Sequence, residues 1–313
     1  MTNKIAAGII TYNPNISRLK QNISSILLQV ESIILYDNNS HNRNEIENMI
    51  EEYKNVILIT SDENRGLAVG LNEIMEYALK LEFSWVISLD QDSVLQEDAV
   101  EKFSSIIGHS EIAIICPYVI DSRRKYMSYD FNKDIEDVDI CITSGSMTNL
   151  KIWKDLGGFD DWLFIDLIDN DYCKKIKLNN YRIVRVNTVL MNQEFGEIKS
   201  KSEFWTKFYV KLGEILRNVN VQKLSYEKIV NPLRVYYTNR NILYLNKKYR
   251  NFGGIGYKEN YYCNTYLGFL ICFSLASLIR GKNKRKILTA IISGIRDGKS
   301  KAKETSVYNI REV

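Results

Sequence analysis

The chain has two histidines, His41 and His109, in 313 residues. That leaves little room for imidazole acid–base chemistry or a His-rich metal site. His41 falls in a polar loop and His109 near an expected helix end, so both read as solvated. The five cysteines are Cys116, Cys141, Cys173, Cys263 and Cys272. None has a zinc-ligand spacing partner, and the odd number argues for a reducing compartment rather than a disulfide framework. No Gly-x-Gly-x-x-Gly follows the first apolar run, and no Gly-x-x-x-x-Gly-Lys-Ser/Thr occurs. A dinucleotide dehydrogenase and a P-loop NTPase are both disfavoured. The apolar run Ile5 to Ile10 is too short for a signal peptide. A net charge of +4 is too small to argue for nucleic acid.

What is present is an alternation of strands and helices with short connections. Apolar runs at Lys4–Thr11, Ser32–Tyr36, Val56–Ile59, Phe83–Leu89 and Ile112–Val119 alternate with helical spacings. Asn13-Pro14 reads as the N-cap and first residue of the first helix. The pattern predicts an α/β fold: a Rossmann-like, mostly parallel central sheet flanked by helices. Polar residues follow each strand, so they converge on one edge of the sheet, where a nucleotide binds. Phe83-Ser-Trp-Val-Ile-Ser-Leu-Asp-Gln-Asp-Ser93 ends in two carboxylates, Asp90 and Asp92, which can share a hard cation. The plainer alternative is turn and cap residues before a helix starting near Gln96.

Residues 121–139 are charged and aperiodic and read as a surface excursion. Thr143-Ser144-Gly145-Ser146-Met147 is a small-residue turn, which either lets backbone approach a ligand or is an ordinary tight turn. Asp160, Asp161, Asp166, Asp169 and Asp171 interleave with Trp162, Leu163, Phe164, Ile165, Leu167 and Ile168. Carboxylates in an apolar stretch cost free energy unless paired or functional. Helical spacing would put Asp166 and Asp169 on one face. A helix N-terminus would explain Asp169 to Asp171 but not Asp166.

The ordered set Ile9-Ile10-Thr11-Tyr12-Asn13-Pro14, Asp37-Asn38-Asn39-Ser40, Asn64-Arg65-Gly66, Asp90-Gln91-Asp92-Ser93, Thr143-Ser144-Gly145-Ser146 and Gly157-Gly158-Phe159-Asp160 resembles family 2 glycosyltransferases of the GT-A fold. Leu163 to Cys173, Arg234 to Asn241 and Ile295-Arg296-Asp297-Gly298 look like the bacterial rhamnosyltransferases of polysaccharide biosynthesis. The resemblance implies inverting transfer from a nucleotide-sugar donor, dTDP-rhamnose, to a glycan or lipid-linked acceptor. It implies donor contacts from Thr11, Tyr12, Asn13, Asp37, Asn64, Arg65, Gly66, Asp90, Gln91 and Gly145. Asp90 and Asp92 would hold Mg²⁺ or Mn²⁺. Asp169 stands where the family has the Asp of a Glu-Asp motif and would be the base, with Asp166 competing; Ile168 replaces the Glu. Trp162, Asp166, Arg234 and Arg240 would face the acceptor. Gln193 stands where a metal-binding His is expected, which leaves the third ligand open. A UDP-sugar donor (glucose, galactose or galactofuranose) and a catalytically silent sugar-nucleotide-binding scaffold remain alternatives.

The division expected is 1–198 for the catalytic domain and 199–313 for a helical C-terminal extension that docks on a membrane or partner. Phe204 to Leu216 and Tyr236 to Leu245 have helical periodicity. Tyr266 to Ile279 is strongly apolar but short for a spanning helix, and Arg280, Lys282, Lys284, Arg285 and Lys286 follow. This fits a segment lying on the inner face of the plasma membrane. The alternative is a helix buried in a subdomain or homodimer interface. The tail from Lys299 reads as frayed.

Overall fold

A computed structural model of the chain describes residues 4–108 and 110–310, so His109 lies outside the described residues. The chain divides into two compact units: residues 1–120, 129–164 and 171–192, and residues 121–128, 165–170 and 193–313. The expected boundary at 198 is contiguous, whereas the second unit also takes two short segments from the first two thirds of the chain.

The first unit is built on an eight-stranded sheet in the order β3-β2-β1-β4-β7-β5-β8-β6. The strands are β1 (Ile5–Thr11), β2 (Ser32–Asp37), β3 (Val56–Thr60), β4 (Trp85–Asp90), β5 (Ile112–Ile120), β6 (Ile135–Asp137), β7 (Met147–Asn149) and β8 (Arg182–Asn192). β3, β2, β1 and β4 are parallel, and β1 is buried along its whole length, as a strand covered on both faces must be. The register sets Thr11 beside Asp37 and Ile10 beside Asp90, so three polar strand ends stop at one level. The order reverses between β1 and β4, the place where such sheets bind ligands.

Around this sheet run α1 (Ile16–Ile26), α2 (Arg43–Ile50), α3 (Leu67–Lys80), α4 (Ala99–Ser104), α5 (Leu150–Asp155) and α6 (Ile168–Leu178). Leu19, Ile23 and Ile26 of α1 enter the core with Ile9, Leu35 and Ile87. Three local readings need correction. α1 is capped by Asn15, whose side chain accepts from the Arg18 N–H, not by Asn13, which sits at φ 49. The helix expected near Gln96 starts at Ala99. Part of the excursion is sheet: β6 pairs antiparallel with β8.

The second unit contains an antiparallel pair, β9 (Ile198–Ser200) and β10 (Tyr226–Lys228). Its helices are α7 (Glu203–Ile215), α8 (Val219–Gln222), α9 (Pro232–Lys248), α10 (Tyr257–Tyr261), α11 (Tyr266–Phe269), α12 (Ala276–Arg280) and α13 (Lys284–Glu304). A π-helical stretch, Leu270–Leu275, joins α11 to α12. Val235 of α9 packs with Ile287, Ala290 and Ile291 of α13. The two helices approach closely because α13 offers glycines: a Cβ on Gly294 would stand 2.4 Å from the Tyr236 carbonyl oxygen, and one on Gly298 2.5 Å from that of Arg240. The tail is not frayed at Lys299. α13 runs on to Glu304, and Tyr308 donates its N–H to the Lys248 carbonyl at 2.8 Å and packs on Tyr249.

Asp121, read as part of a surface excursion, is fully buried. Arg123 Nε reaches it at 2.8 Å, Arg124 Nε at 3.0 Å and the Phe195 N–H at 3.1 Å. Burial pushes its carboxyl up, but these donors outweigh that and hold it at about 2.

Candidate active site

In the first unit, the loops after β1, β2, β3 and β4 are tied to one another. Thr11 Oγ1 donates to Asp37 Oδ1 at 3.1 Å. Asp37 is buried and its other oxygen accepts from Arg43 Nε at 2.9 Å and the Ser40 N–H at 3.2 Å. Asp37 therefore organises the ends of β1 and β2. The Asn13 N–H donates to Ser40 Oγ at 2.8 Å and Asn13 Oδ1 accepts from the N–H of His41, which is exposed. Tyr12 is exposed, and its N–H donates to Gln91 Oε1 at 2.9 Å, which joins the first loop to the fourth.

Asn38, nearly buried, joins the second loop to the third. Its Nδ2 donates to Asn64 Oδ1 at 3.0 Å and its Oδ1 accepts the Arg65 N–H at 2.8 Å. Arg65 is exposed and paired with Glu73 at 2.9 Å. Gly66 caps α3 at φ 86, and the Leu67 N–H donates to the Phe164 carbonyl at 2.7 Å. A side chain at Gly66 would collide with Phe164, 2.6 Å away, and a positive φ disfavours one besides.

Asp90 and Asp92 both stand exposed at the carboxyl end of β4. The backbone beneath them is fixed. The Asp90 N–H donates to Ser144 Oγ at 3.0 Å, Ser144 meets Ser93 Oγ at 2.9 Å, and the buried Asn22 donates to the Asp90 carbonyl. Gly145 donates to the Ser88 carbonyl at 2.7 Å, and its Cβ space is filled by Met191 and Pro117. Gly145 also sits at φ 77, a left-handed conformation that favours glycine. Asp92 has one weak cationic neighbour, Arg18, at 3.9 Å. No cluster of three His, Cys, Asp or Glu occurs among the described residues. Two exposed carboxylates suit an oxygen-loving cation that keeps water and takes phosphate oxygens, as Mg²⁺ and Mn²⁺ do. Trp162 is half-buried, and its backbone N–H donates to the Asp160 carboxylate at 3.1 Å.

In the second unit, Asp166 does not lie on a helix with Asp169. It precedes α6 in a turn where Asp166 (φ 69) and Leu167 (φ 64) are both left-handed. Such residues cost about 1–3 kcal/mol each and persist where surroundings enforce them. Asn241 enforces this turn: fully buried on α9, its Nδ2 donates to the carbonyls of Ile165 at 2.9 Å and Asp166 at 2.8 Å. Arg234 Nε meets both Asp166 oxygens at 2.8 Å, and its Nη2 also donates to Oδ1. Asp169 follows, half-buried, in the first turn of α6. Ile168 is buried, so a Glu there would need a partner. Arg240 packs over the Tyr237 ring at 4.6 Å and donates to Asn241 Oδ1 at 2.9 Å. Burial lowers its pKa. Gln193 is buried.

Sequence reasoning missed Asn22, Asn38 and Ser144 as individual site residues. The signal for Asn22 was available: it stands beside Ile23 and Ile26 on the inward face of α1, where a polar group must be hydrogen-bonded.

The geometry belongs to a glycosyltransferase fold of GT-A type. A family model for glycosyl transferase family 2 matches residues 7–176, and the chain belongs to that family. It is 25% identical over 199 residues to the dTDP-rhamnosyl transferase RfbF of Shigella flexneri, an alignment covering 59% of this chain and 66% of that relative. Among solved structures it is similar to S. aureus TarS 1–349 in complex with UDP-GlcNAc, with a TM-score of 0.52, 14% identity and coverage of 96% and 92% of the two chains. GalNAc-T7 with UDP, GalNAc and Mn²⁺ gives a TM-score of 0.53 at 12% identity over 88% of this chain and 57% of that one. These two likenesses concern the fold.

Proposed function

We propose that this protein is a metal-dependent inverting glycosyltransferase that moves L-rhamnose from dTDP-rhamnose to a hydroxyl of a cell-surface glycan or lipid-linked acceptor. The observation that carries the transferase chemistry is the exposed Asp90/Asp92 pair on a braced strand end in a family 2 chain. The similarity to RfbF supports the sugar. Thr11, Tyr12, Asn64, Arg65 and Gln91 hold the nucleotide, with Asp37 and Asn38 fixing their loops. Asp90 and Asp92 would hold Mg²⁺ or Mn²⁺, which when bound would stabilise the charge of the departing diphosphate.

In the reaction the acceptor oxygen bonds to the anomeric carbon as the bond from that carbon to dTDP breaks. The electron pair leaves with dTDP, and the hydroxyl proton passes to the Asp169 carboxylate. Asp166 is the poorer candidate, because Arg234 Nε already holds both of its carboxylate oxygens in the turn. Arg234 and Asn241 thus position the turn that leads into Asp169.

The protein works as a peripheral protein on the inner face of the plasma membrane. Tyr257–Arg280 is apolar enough and long enough to count as a candidate span by composition and length. Its helix is interrupted before Thr265, however, and the remainder from Tyr266 is roughly 22 Å long at about 1.5 Å per residue, short of the roughly 30 Å hydrocarbon core. Leu267, Ile271, Leu275 and Ile279 are 67%, 55%, 49% and 66% exposed, a row spaced by four. The wider π turn in the middle counters the drift that this spacing has on an α-helix. Phe204, Trp205 and Phe208 of α7 are exposed too. Apolar rows beside Lys282, Lys284, Arg285 and Lys286 suit an anionic leaflet.

Calorimetric titration of dTDP, UDP and GDP, each with and without Mn²⁺, tests the reading. Metal-dependent binding led by dTDP is expected. A lead by UDP replaces the sugar, and no binding of any nucleotide overturns the transferase reading in favour of a scaffold.

A further inference from the structure

Two thiols in the first unit face each other. Cys173 is buried on α6, and Cys141 is half-buried in the segment between β6 and β7. Their sulfurs are 3.8 Å apart, and the Cys173 sulfur also stands 3.8 Å from the Cys141 carbonyl oxygen. This is contact distance between sulfurs, whereas a disulfide holds them at about 2.05 Å. Closing the pair therefore takes a movement of about 1.8 Å. Cys173 is anchored, with Tyr172 and Ile176 buried around it on the helix. Cys141 lies outside any helix or strand, so the movement falls on its segment.

That segment carries the brace under Asp90. Ser144, three residues after Cys141, accepts the Asp90 N–H at 3.0 Å and meets Ser93 Oγ at 2.9 Å. Ser146 ties the intervening residues together. Its Oγ donates to the Ile142 carbonyl at 2.5 Å, and its N–H donates to the Thr143 carbonyl at 3.0 Å. A pull on Cys141 is thus passed through a hydrogen-bonded turn to Ser144 rather than lost in a slack linker.

We propose that Cys141 and Cys173 are a peroxide-responsive pair, whose closure to a disulfide draws Ser144 off the Asp90 N–H and weakens the cation site at Asp90 and Asp92. The oxidant is hydrogen peroxide. The Cys141 sulfur, the more accessible of the two, attacks one peroxide oxygen; the O–O bond breaks and the other oxygen leaves as water, which makes a sulfenic acid. The Cys173 sulfur then attacks the Cys141 sulfur; the S–S bond forms, the S–O bond breaks, and the hydroxyl leaves as water with the Cys173 proton. Two thiols are oxidised by two electrons in all, and one peroxide is reduced to two waters. A dithiol reverses the step by exchange. A transient sensing disulfide of this kind is compatible with a reducing compartment. The cation half of the proposal rests on the transferase reading; the disulfide and the shift of the strand end do not.

The test treats the reduced full chain with hydrogen peroxide and reads two things. Alkylation under denaturing conditions followed by peptide mapping is expected to find the five thiols reduced to three, with Cys141 and Cys173 in one cross-linked peptide and dithiothreitol restoring both. Hydrogen exchange of the peptide Leu89–Ser93 is expected to quicken at least tenfold in the cross-linked protein, because the Asp90 N–H has lost its acceptor. Mn²⁺-dependent dTDP affinity falls at least fivefold with it. Cys141→Ser keeps the reduced protein's exchange and affinity and loses every response to peroxide; Cys173→Ala does the same from the other side. Separate alkylation of Cys141 and Cys173 after peroxide overturns the pair. A cross-link that leaves Leu89–Ser93 exchange unchanged overturns the switch. Since mapping and exchange need no nucleotide, a protein that binds no nucleotide still answers both questions, and its failure counts against the transferase reading instead.

Discussion

Arg234 meets both carboxylate oxygens of Asp166 at 2.8 Å through Nε, and this pair sits on a turn whose backbone Asn241 holds in the left-handed region. Asp166 is thereby committed to structure, three residues before the carboxylate assigned to chemistry. Arg234→Lys keeps the charge but loses the fork. It is expected to lower kcat about tenfold through a 1 Å-scale misplacement of the turn, with donor KM unchanged. Steady-state kinetics on both substrates check the split.

Removal of metal should abolish transfer. Dialysis against EDTA is expected to stop turnover, with Mn²⁺ or Mg²⁺ restoring it and Zn²⁺ serving poorly at an all-oxygen site. Asp92→Asn should weaken nucleotide binding in Mn²⁺ while leaving the melting temperature within a few degrees, since Asp92 is exposed and its Arg18 contact is weak.

The buried Asp121 makes the second unit acid-sensitive. Its folded carboxyl sits at about 2 against an ordinary 3.8. A depressed folded value stabilises above the unfolded pKa and is lost as pH falls, so about 2 kcal/mol should disappear between roughly pH 4 and pH 2. Asp121→Asn is expected to remove that dependence and to cost about 3–5 kcal/mol at neutral pH by leaving Arg123 and Arg124 without their shared carboxylate. Urea unfolding across that pH range reads both.

Packing of α13 on α9 depends on glycine. Gly294→Ala puts a methyl against backbone, which cannot rotate away, and should cost about 1–3 kcal/mol. Gly108→Ala, which meets nothing within 4 Å, is the control. Thermal melts of the two compare them.

The parallel half of the sheet was legible because buried strands and amphipathic helices carry their period in the chain. Ser32–Asp37 and Trp85–Asp90 fall where the apolar runs stop. β6 was hidden, since three residues of Ile-Glu-Asp form a strand through β8 alone and not through their own pattern. Asp121 was hidden for a related reason: Arg123 and Arg124 are adjacent in sequence, but the Phe195 N–H that joins them on its carboxylate comes from far along the chain. Asp166 was misplaced because a spacing of three suggests a helix, and nothing in the local residues announces two left-handed conformations. Asn241, within a quoted motif, became intelligible once its amide was seen on that turn. Of the donor-side residues, those with backbone roles, Asn38 and Ser144, were the ones the sequence concealed.

The most direct test of the account is the rate of rhamnosyl transfer by Asp169→Asn at saturating donor and Mn²⁺, measured beside dTDP affinity on the same preparation. A base supplies about 10²–10⁴-fold, so the account predicts a loss of that size in kcat with dTDP binding unchanged. Wild-type turnover in Asp169→Asn, with Asp166→Asn inactive, would contradict it and move the base to the residue that Arg234 holds.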